Sequence, residues 1–178
     1  MNVKIPKLTA TDIEVRIQKV AQSNNSNAVY ANLLLYKNAR IDMKILDDVF
    51  GVLGWSRRHK EINGKLYCTV SILDKANNIW IDKEDVGTVG QFQPEKSESS
   101  DSFKRACVNV GIGRELYTVP KIITRLYSTE FYVESQGKIK TKPAVRFSVG
   151  SIGYNELGEI NELTIIDKDN NIRFKYKK

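Results

Sequence analysis

The dipeptide Asn63-Gly64 constrains the fold more than any other feature of the sequence, because it lies between two segments that read as β-strands. Asn-Gly supplies the positive φ angles that a two-residue hairpin turn needs. The flanking segments are Trp55 to Ile62 and Lys65 to Leu73. Apolar residues alternate with polar ones in the second segment, at Leu66, Cys68, Val70 and Ile72. The sequence therefore predicts an antiparallel hairpin with one buried and one polar face.

A third strand and a helix are predicted to follow the hairpin. After a turn at Asp74 to Asn78, the segment Ile79 to Val86 completes a three-stranded meander. The polar stretch Gly87 to Glu98 predicts a loop, since it is polar and contains Pro94. The helix is expected to start at one of the capping residues Ser99, Ser100 and Asp101 and to end before Gly111. Its apolar stripe is Phe103, Ala106, Cys107 and Val110.

Periodicity and capping signals predict the remaining elements. A capping box at Thr11 and Glu14 predicts a first helix from Asp12 to Gln22, and Gly51 is expected to end a second helix from Asp42 to Phe50. Further strands are predicted at Ala28 to Tyr36, Ile122 to Val133, Ala144 to Ile152, Ile160 to Ile166 and Ile172 to Tyr176. The expected fold class is α+β, with the hairpin and meander sheet packed on a central helix, in a single domain over residues 1–178.

Composition favours a nucleic-acid partner. The 178 residues include 28 Lys and Arg against 21 acidic residues, a net charge of +7. The electric field of a protein with a net positive charge attracts polyanions. Cys68 and Cys107 stand alone in apolar patterns, which indicates reduced thiols in a cytoplasmic protein rather than a zinc site. The N-terminal stretch has no apolar signal region and no apolar run is long enough to span a membrane, so we expect neither secretion nor a membrane partner.

Two sets of cations are candidates for phosphate contacts. Lys104 and Arg105 lie at the edge of the helix stripe and beyond it, where a rigid helix would present an Arg fork and a Lys point charge. Such a pair is also compatible with an ordinary solvated helix face. The hairpin carries Arg57, Arg58, Lys60 and Lys65, which alternate between its two faces. They could form a second DNA surface, a contact between subunits, or a charged edge that prevents aggregation.

Enzymatic chemistry has little support in the sequence. No phosphate-binding loop motif occurs, and His59 has no cysteine partner nearby. One acidic cluster could hold Mg²⁺ for a nuclease, namely Asp82, Glu84, Asp85 and Asp101. Strand alternation would, however, turn Asp85 away from Asp82 and Glu84. We therefore expect no catalytic residues, metal or cofactor.

Four aromatic residues could stack on nucleic-acid bases, namely Tyr67, Trp80, Phe92 and Tyr117. Aromatic residues on strands more often belong to a hydrophobic core.

Three motifs in a fixed order resemble a known family. They are Val49-Phe50-Gly51 with Gly54-Trp55, then Glu84-Asp85-Val86-Gly87, then Asp101 with Lys104-Arg105-Ala106 and Gly111. Together they resemble the Sak-type single-strand annealing proteins of bacteriophages, relatives of the eukaryotic recombination mediator named Rad-fifty-two. The resemblance covers about residues 40–118.

The resemblance implies a protein that anneals complementary single strands of DNA in recombination. Because the sequence shows no nucleotide or metal site, we expect annealing to need neither ATP nor a divalent ion. It implies homo-oligomers in a ring or open arc, cytoplasmic location in the bacterial host, and a partner phage exonuclease or host single-strand binding protein. Lys104 and Arg105 match the family's groove-lining pair, and Arg40 matches a further groove arginine, while Glu84 and Asp85 match an acidic pair with a structural or intersubunit role. Val108 stands where the eukaryotic relatives have another arginine. A passive single-strand coat protein is the alternative, and a magnesium nuclease a more distant one.

Overall fold

The computed structural model describes residues 3–88 and 94–178. This part of the chain has a mixed α+β fold with antiparallel sheets, so the predicted fold class is confirmed, and assembly into a ring or arc stays a prediction. The two helices are α1 (Ala39–Phe50) and α2 (Pro94–Val110). The strands are β1 (Glu14–Gln22), β2 (Val29–Tyr36), β3 (Trp55–Ile62), β4 (Lys65–Asp74), β5 (Ile79–Val86), β6 (Ile122–Leu126), β7 (Phe131–Val133), β8 (Ile139–Thr141), β9 (Phe147–Tyr154), β10 (Ile160–Asp167) and β11 (Ile172–Lys177).

The chain divides into two compact units. The first unit combines Met1–Leu8 with Lys37–Arg114, and the second combines Thr9–Tyr36 with Glu115–Lys178. The first unit therefore holds both helices and β3 to β5, and the second holds the other strands. A single domain over residues 1–178 stays a prediction.

The three-stranded sheet of the first unit confirms the predicted hairpin and meander. Its strand order is β3-β4-β5, and Ile62 pairs with Lys65 across the turn. Asn63 and Gly64 have φ angles of 52° and 71°, as a two-residue hairpin turn requires. Helix α2 packs against β4 and β5. It buries Phe103, Ala106 and Cys107 of the predicted stripe completely.

Helix α2 begins earlier than the sequence predicts. It starts at Pro94 rather than at Ser99, Ser100 or Asp101, so the predicted loop from Gly87 to Glu98 is wrong in its last part, while residues 89–93 lie outside the described residues. Proline lacks an N–H and is well tolerated in the first turn, where that donor has no partner in any case. The predicted end is confirmed. The N–H groups of Gly111 and Ile112 both donate to the Cys107 carbonyl, at 3.1 and 3.0 Å.

Helix α1 ends where predicted, after Phe50, but begins before Asp42. The Asn38 side chain caps it by accepting bonds from the N–H groups of Arg40 and Ile41. Its buried residues are Asp42, Ile45 and Leu46, so the face turned inward includes a carboxylate.

The largest correction concerns the first predicted helix, because Glu14–Gln22 is strand β1. Val15 and Ile17 are half-buried and alternate with exposed residues, as in any strand. A bulge between Ile17 and Lys19 then shifts the alternation by one residue, so that the next half-buried residue is Val20. Alternation interrupted by a bulge produced the spacing that predicted a helix. The predicted capping box is replaced by Thr9, whose N–H donates to Asp12 Oδ2 at 2.8 Å before a 3₁₀ turn at Ala10–Asp12.

The second unit is built on a six-stranded sheet in the order β11-β10-β9-β1-β2-β6. The predicted strand from Ile122 to Val133 is two strands, β6 and β7, and β7 pairs with β8, which the sequence did not reveal. The predicted strand from Ala144 to Ile152 is displaced along the chain to β9. The strands predicted at Ala28 to Tyr36, Ile160 to Ile166 and Ile172 to Tyr176 are confirmed as β2, β10 and β11.

A buried arginine joins several elements of the second unit. The Arg173 side chain is 2% exposed and donates to Glu130 at 2.7 and 2.9 Å and to the Arg125 carbonyl at 2.7 Å. Its guanidinium lies 4.3 Å from the Tyr127 ring centroid. Because this charge is fully paired and hydrogen-bonded, it is compatible with burial and fixes β11 against the β6–β7 turn.

Neither described helix has the length and apolar character that crossing a membrane would require.

Candidate nucleic-acid interface

Lys104 and Arg105 lie outside the fully buried stripe of α2. The neighbouring Phe103, Ala106 and Cys107 are fully buried, whereas the Lys104 and Arg105 side chains are 21% and 43% exposed. The helix is therefore anchored along one side and presents both cations from a fixed backbone. Rigid presentation of this kind reduces the conformational entropy lost when a side chain binds a phosphate.

Asp85 of β5 orients Arg105. Arg105 Nε donates to Asp85 Oδ1 at 3.2 Å, and the same carboxylate accepts a bond from Asn109 Nδ2 at 3.3 Å. Within the described ranges, the two terminal guanidinium nitrogens of Arg105 form no hydrogen bond. The two terminal nitrogens, which can bind a phosphate in a bidentate manner, are therefore available, while the Asp85 carboxylate holds Nε of the same guanidinium.

Lys104 lies over a buried ion pair. Its Nζ is 3.8 Å from Asp101 Oδ1, and its backbone carbonyl accepts a bond from Lys37 Nζ at 3.2 Å. Lys37 is also paired with Asp42, and both side chains are almost fully buried. Burial raises the pKa of Asp42 to about 6, although the nearby ammonium groups of Lys37 and Lys104 oppose the shift. Burial likewise raises the pKa of the adjacent Cys107 thiol.

Arg40 lies in the first turn of α1, between Lys37 and Asp42 in the chain. Its side chain is exposed, and it forms no ion pair with any residue that the structure describes. Because Lys37 contacts the Lys104 carbonyl, this end of α1 adjoins the part of α2 that carries the predicted pair. The start of α1 therefore lies close to Lys104, while a groove formed by Arg40 with Lys104 and Arg105 stays a prediction.

The hairpin cations divide between the two faces of the sheet. Arg57 lies on the face covered by α2, with its guanidinium 4.7 Å from the Phe103 ring centroid. Trp55 and His59 share that face, and His59 Nε2 lies 3.2 Å from the Ser99 carbonyl oxygen. Arg57 therefore takes part in packing the hairpin against α2.

The opposite face of the sheet carries the other three hairpin cations. Arg58, Lys60 and Lys65 are exposed, and none has an ion-pair partner among residues 3–88 and 94–178. Lys60 lies directly across from Tyr67, and Arg58 lies across from Thr69. This set, which we call the outer-face cations, is separated by the sheet itself from Lys104 and Arg105. The predicted residues thus form two surfaces.

The aromatic residues weighed for base stacking have different environments. Tyr67 is half-buried on the face of the outer-face cations, whereas Trp80 and Tyr117 are 51% and 72% exposed. Phe92 lies outside the described residues.

Three of the four acidic residues considered for a nuclease site carry structural contacts, namely Glu84, Asp85 and Asp101. Glu84 accepts a bond from Thr69 Oγ1 at 2.6 Å on one face of the sheet, and Asp85 contacts Arg105 on the other. Asp101 accepts bonds from the Thr88 N–H and hydroxyl at 3.0 and 2.8 Å. In the described part of the chain, no three His, Cys, Asp or Glu side chains come close enough to share a metal ion.

Sequence reasoning missed the buried pair beneath Lys104. Asp42 lies three and four residues before Ile45 and Leu46, so the apolar stripe of α1 contains a carboxylate. An acidic residue on such a stripe signals a buried cationic partner. Lys37 itself carries no comparable signal, because only the tertiary structure brings it to Asp42 and Lys104.

Comparison of the chain with protein-family models, curated proteins and solved structures finds no match. The resemblance to single-strand annealing proteins therefore stays a prediction that rests on the three sequence motifs.

Proposed function

We propose that this protein binds single-stranded DNA and anneals complementary strands, as a homo-oligomer and without ATP. The observation that carries the proposal is that all seven cations predicted to contact DNA belong to the first unit. Five of them are exposed and the other two are half-buried, so each can reach a ligand. They are Arg40, Arg57, Arg58, Lys60, Lys65, Lys104 and Arg105.

Phosphate contacts suit annealing because they leave the bases free. Contacts from Lys and Arg to the backbone position a strand without reading its sequence. They also neutralise part of its charge, which lowers the repulsion between two approaching strands. Base pairing and stacking can then supply the driving free energy. No nucleotide hydrolysis is needed for such a reaction, which is downhill once the strands meet in register.

A passive coat protein would use the same cations but keep the strands apart. The two functions differ in the outcome when a complementary strand is added, since an annealing protein accelerates duplex formation and a coat protein slows it. The proposal of annealing rests on the motif resemblance together with the accessible cations on both faces of the sheet in the first unit.

The helix pair is tested by the double variant Lys104→Ala with Arg105→Ala. Each phosphate neutralised on a single strand contributes about 0.7 to the slope of log affinity against log salt, so loss of two contacts should flatten the slope by roughly 1.4 per bound subunit. Affinity should fall for oligonucleotides of any sequence. Alanine favours helix, so α2 should persist. Fluorescence anisotropy across a salt series measures the binding, and circular dichroism and sizing check the fold.

A matched control is Lys44→Ala with Lys75→Ala, which removes the same charge from exposed positions of the same unit. It should change the slope by much less than the helix variant. Unchanged affinity in a folded Lys104→Ala, Arg105→Ala variant would show that the pair is a solvated helix face. Loss of binding in Arg58→Ala with Lys60→Ala would then place the strand on the outer face of the sheet.

A further inference from the structure

A groove runs along β1 in the second unit. β2 pairs with β1 along its whole length, but on the other side β9 pairs with β1 only at Glu14 and Ser148. Beyond that point the segment from Gly137 to Arg146, which precedes β9, lies alongside β1 without joining the sheet. Two adjoining cavities of about 340 and 620 Å³ fill the gap, and both are lined by Ile17 and Thr141. The two cavities therefore adjoin along β1, and we call them together the β1 groove.

The walls of the β1 groove are strongly basic. Six cations line it: Arg16, Lys19, Lys138, Lys140, Lys142 and Arg146. Two of them have ion-pair partners at 2.7 Å, Glu14 for Arg16 and Glu134 for Lys140. The other four form no ion pair within the described part of the chain, and no carboxylate lines the groove itself. Because the two ion pairs are largely exposed, a phosphate can displace either carboxylate at small cost.

The arrangement of the cations fits an extended polyanion. Lys138, Lys140 and Lys142 occupy alternate positions in and beside β8, which spaces them by about 6–7 Å along one wall. Arg16 and Lys19 belong to the opposite wall. Half-buried aliphatic side chains, among them Ile17 and Ile139, line the same cavities. A chain with a charged backbone and apolar edges would therefore meet both cationic and aliphatic side chains.

We propose that the β1 groove binds the backbone of single-stranded nucleic acid, as a site additional to the cations of the first unit. This inference rests on the proposed function for the identity of its ligand. A peptide strand added to the open edge of β1 would be held by backbone hydrogen bonds, which need no charge on the walls. Cations on both walls, with no carboxylate between them, are what phosphate binding requires. A site of this kind would let one subunit hold nucleic acid at two places.

The experiment compares the triple variant Lys19→Ala, Lys138→Ala, Lys142→Ala with a matched control, Lys121→Ala, Lys168→Ala, Lys175→Ala. All six residues are exposed and belong to the second unit, and both variants lose three positive charges. Binding of fluorescein-labelled oligo(dT) is followed over a salt series. Oligo(dT) that contains 4-thiothymidine is then photo-crosslinked to the wild-type protein and to both variants, and the linked peptides are identified by mass spectrometry.

The groove variant should flatten the salt slope by roughly 2 per bound subunit, since three contacts contribute about 0.7 each. Crosslinks to residues 15–21 and 137–147 should appear in the wild type and in the control and disappear in the groove variant. One outcome would refute the β1 groove as a binding site and leave the proposed function intact. In it, wild-type protein binds oligo(dT) without a crosslink in these segments, and the groove variant binds oligo(dT) equally well. If wild-type protein binds no oligo(dT), both fail. Binding of poly-glutamate in place of oligo(dT), lost in the groove variant, would overturn the proposal in favour of an acidic polypeptide ligand.

Discussion

Asp42 and Lys37 place two opposite charges in the interior of the first unit, beneath the helix that carries Lys104. Removing two charges from water is costly, and their mutual attraction repays the cost only in part. The pKa of Asp42 reflects this balance, since burial raises it although Lys37 is in contact. The pair positions the two helices relative to each other, because Lys37 also donates to the Lys104 carbonyl and so links the start of α1 to α2.

The raised pKa of Asp42 predicts a specific dependence of stability on pH. Its value is about 6 in the folded protein against an ordinary 3.8, so between these values the folded state holds a proton that the unfolded state lacks. The contribution of Asp42 to the free energy of unfolding should therefore be complete below about pH 4 and decline as pH rises, by about 3 kcal/mol in total at pH 7. Asp42→Asn cannot titrate and supplies the reference.

Urea unfolding of both proteins at several pH values measures this difference. The free energy of unfolding of the wild type minus that of Asp42→Asn should become smaller from pH 4 to pH 7. A difference that grows with pH would mean that Lys37 lowers the pKa of Asp42 more than burial raises it.

At the scale of single elements, the contact between β5 and α2 has almost no free space. A Cβ atom on Gly87 would lie 2.4 Å from the Glu98 carbonyl oxygen. The Gly87 N–H donates to the Leu66 carbonyl, and the Leu66 N–H donates to Glu98 Oε1, both at 2.9 Å. Gly87 is the glycine of the Glu84-Asp85-Val86-Gly87 motif, so this close approach gives that motif a physical reason.

Gly87→Ala should therefore separate the end of β5 from α2. Because the nearest atom is the backbone carbonyl oxygen of Glu98, no rotamer change relieves the contact, and we expect a loss of about 1–3 kcal/mol in the free energy of unfolding. Thr88→Ser keeps the hydroxyl that binds Asp101 and should change this free energy by less than about 0.5 kcal/mol. Chemical denaturation measures both, and an unchanged unfolding midpoint for Gly87→Ala would contradict the packing described.

Elements with strong local signals could be predicted from the sequence, and elements shaped by tertiary contacts could not. The β3–β4 hairpin follows from Asn63-Gly64, and the end of α2 follows from Gly111, because turn and cap chemistry are local. Strand β1 was misread because its bulge imitates helical spacing. A bulge depends on the partner strand, so the sequence of β1 alone does not reveal it.

The same distinction applies to the candidate sites. Composition and motifs identified the cations of the first unit, and strand alternation correctly predicted that Arg57 and Arg58 lie on opposite faces. The sequence did not reveal that Asp85 orients Arg105, because this contact joins β5 to α2. The β1 groove was missed for a similar reason, since its walls come from segments far apart in the chain.

For the whole molecule, we predict self-association. β3 and β5 are the outer strands of the three-stranded sheet, and each has an edge that pairs with no other strand in the described part of the chain. Apolar side chains are exposed in the same unit, with Val52 at 72%, Leu53 at 90% and Trp80 at 51%. Free edges and exposed apolar surface favour association with another chain. A single subunit is also too short to hold two DNA strands in register.

Analytical ultracentrifugation at micromolar concentration, with and without single-stranded DNA, tests this prediction. Species well above the 20.3 kDa of one chain are expected. A monomer under both conditions would leave the proposed annealing without a surface long enough to align two strands.

The central claim is that the protein itself accelerates pairing of complementary strands. The most direct measurement follows two complementary oligonucleotides, one with a fluorophore and one with a quencher, in a buffer that contains EDTA and no nucleotide. We predict that the wild-type protein increases the rate of quenching above the spontaneous rate, and that Lys104→Ala with Arg105→Ala does so much less. A wild-type protein that binds both strands and leaves the rate unchanged, or lowers it, would contradict annealing and indicate a coat protein.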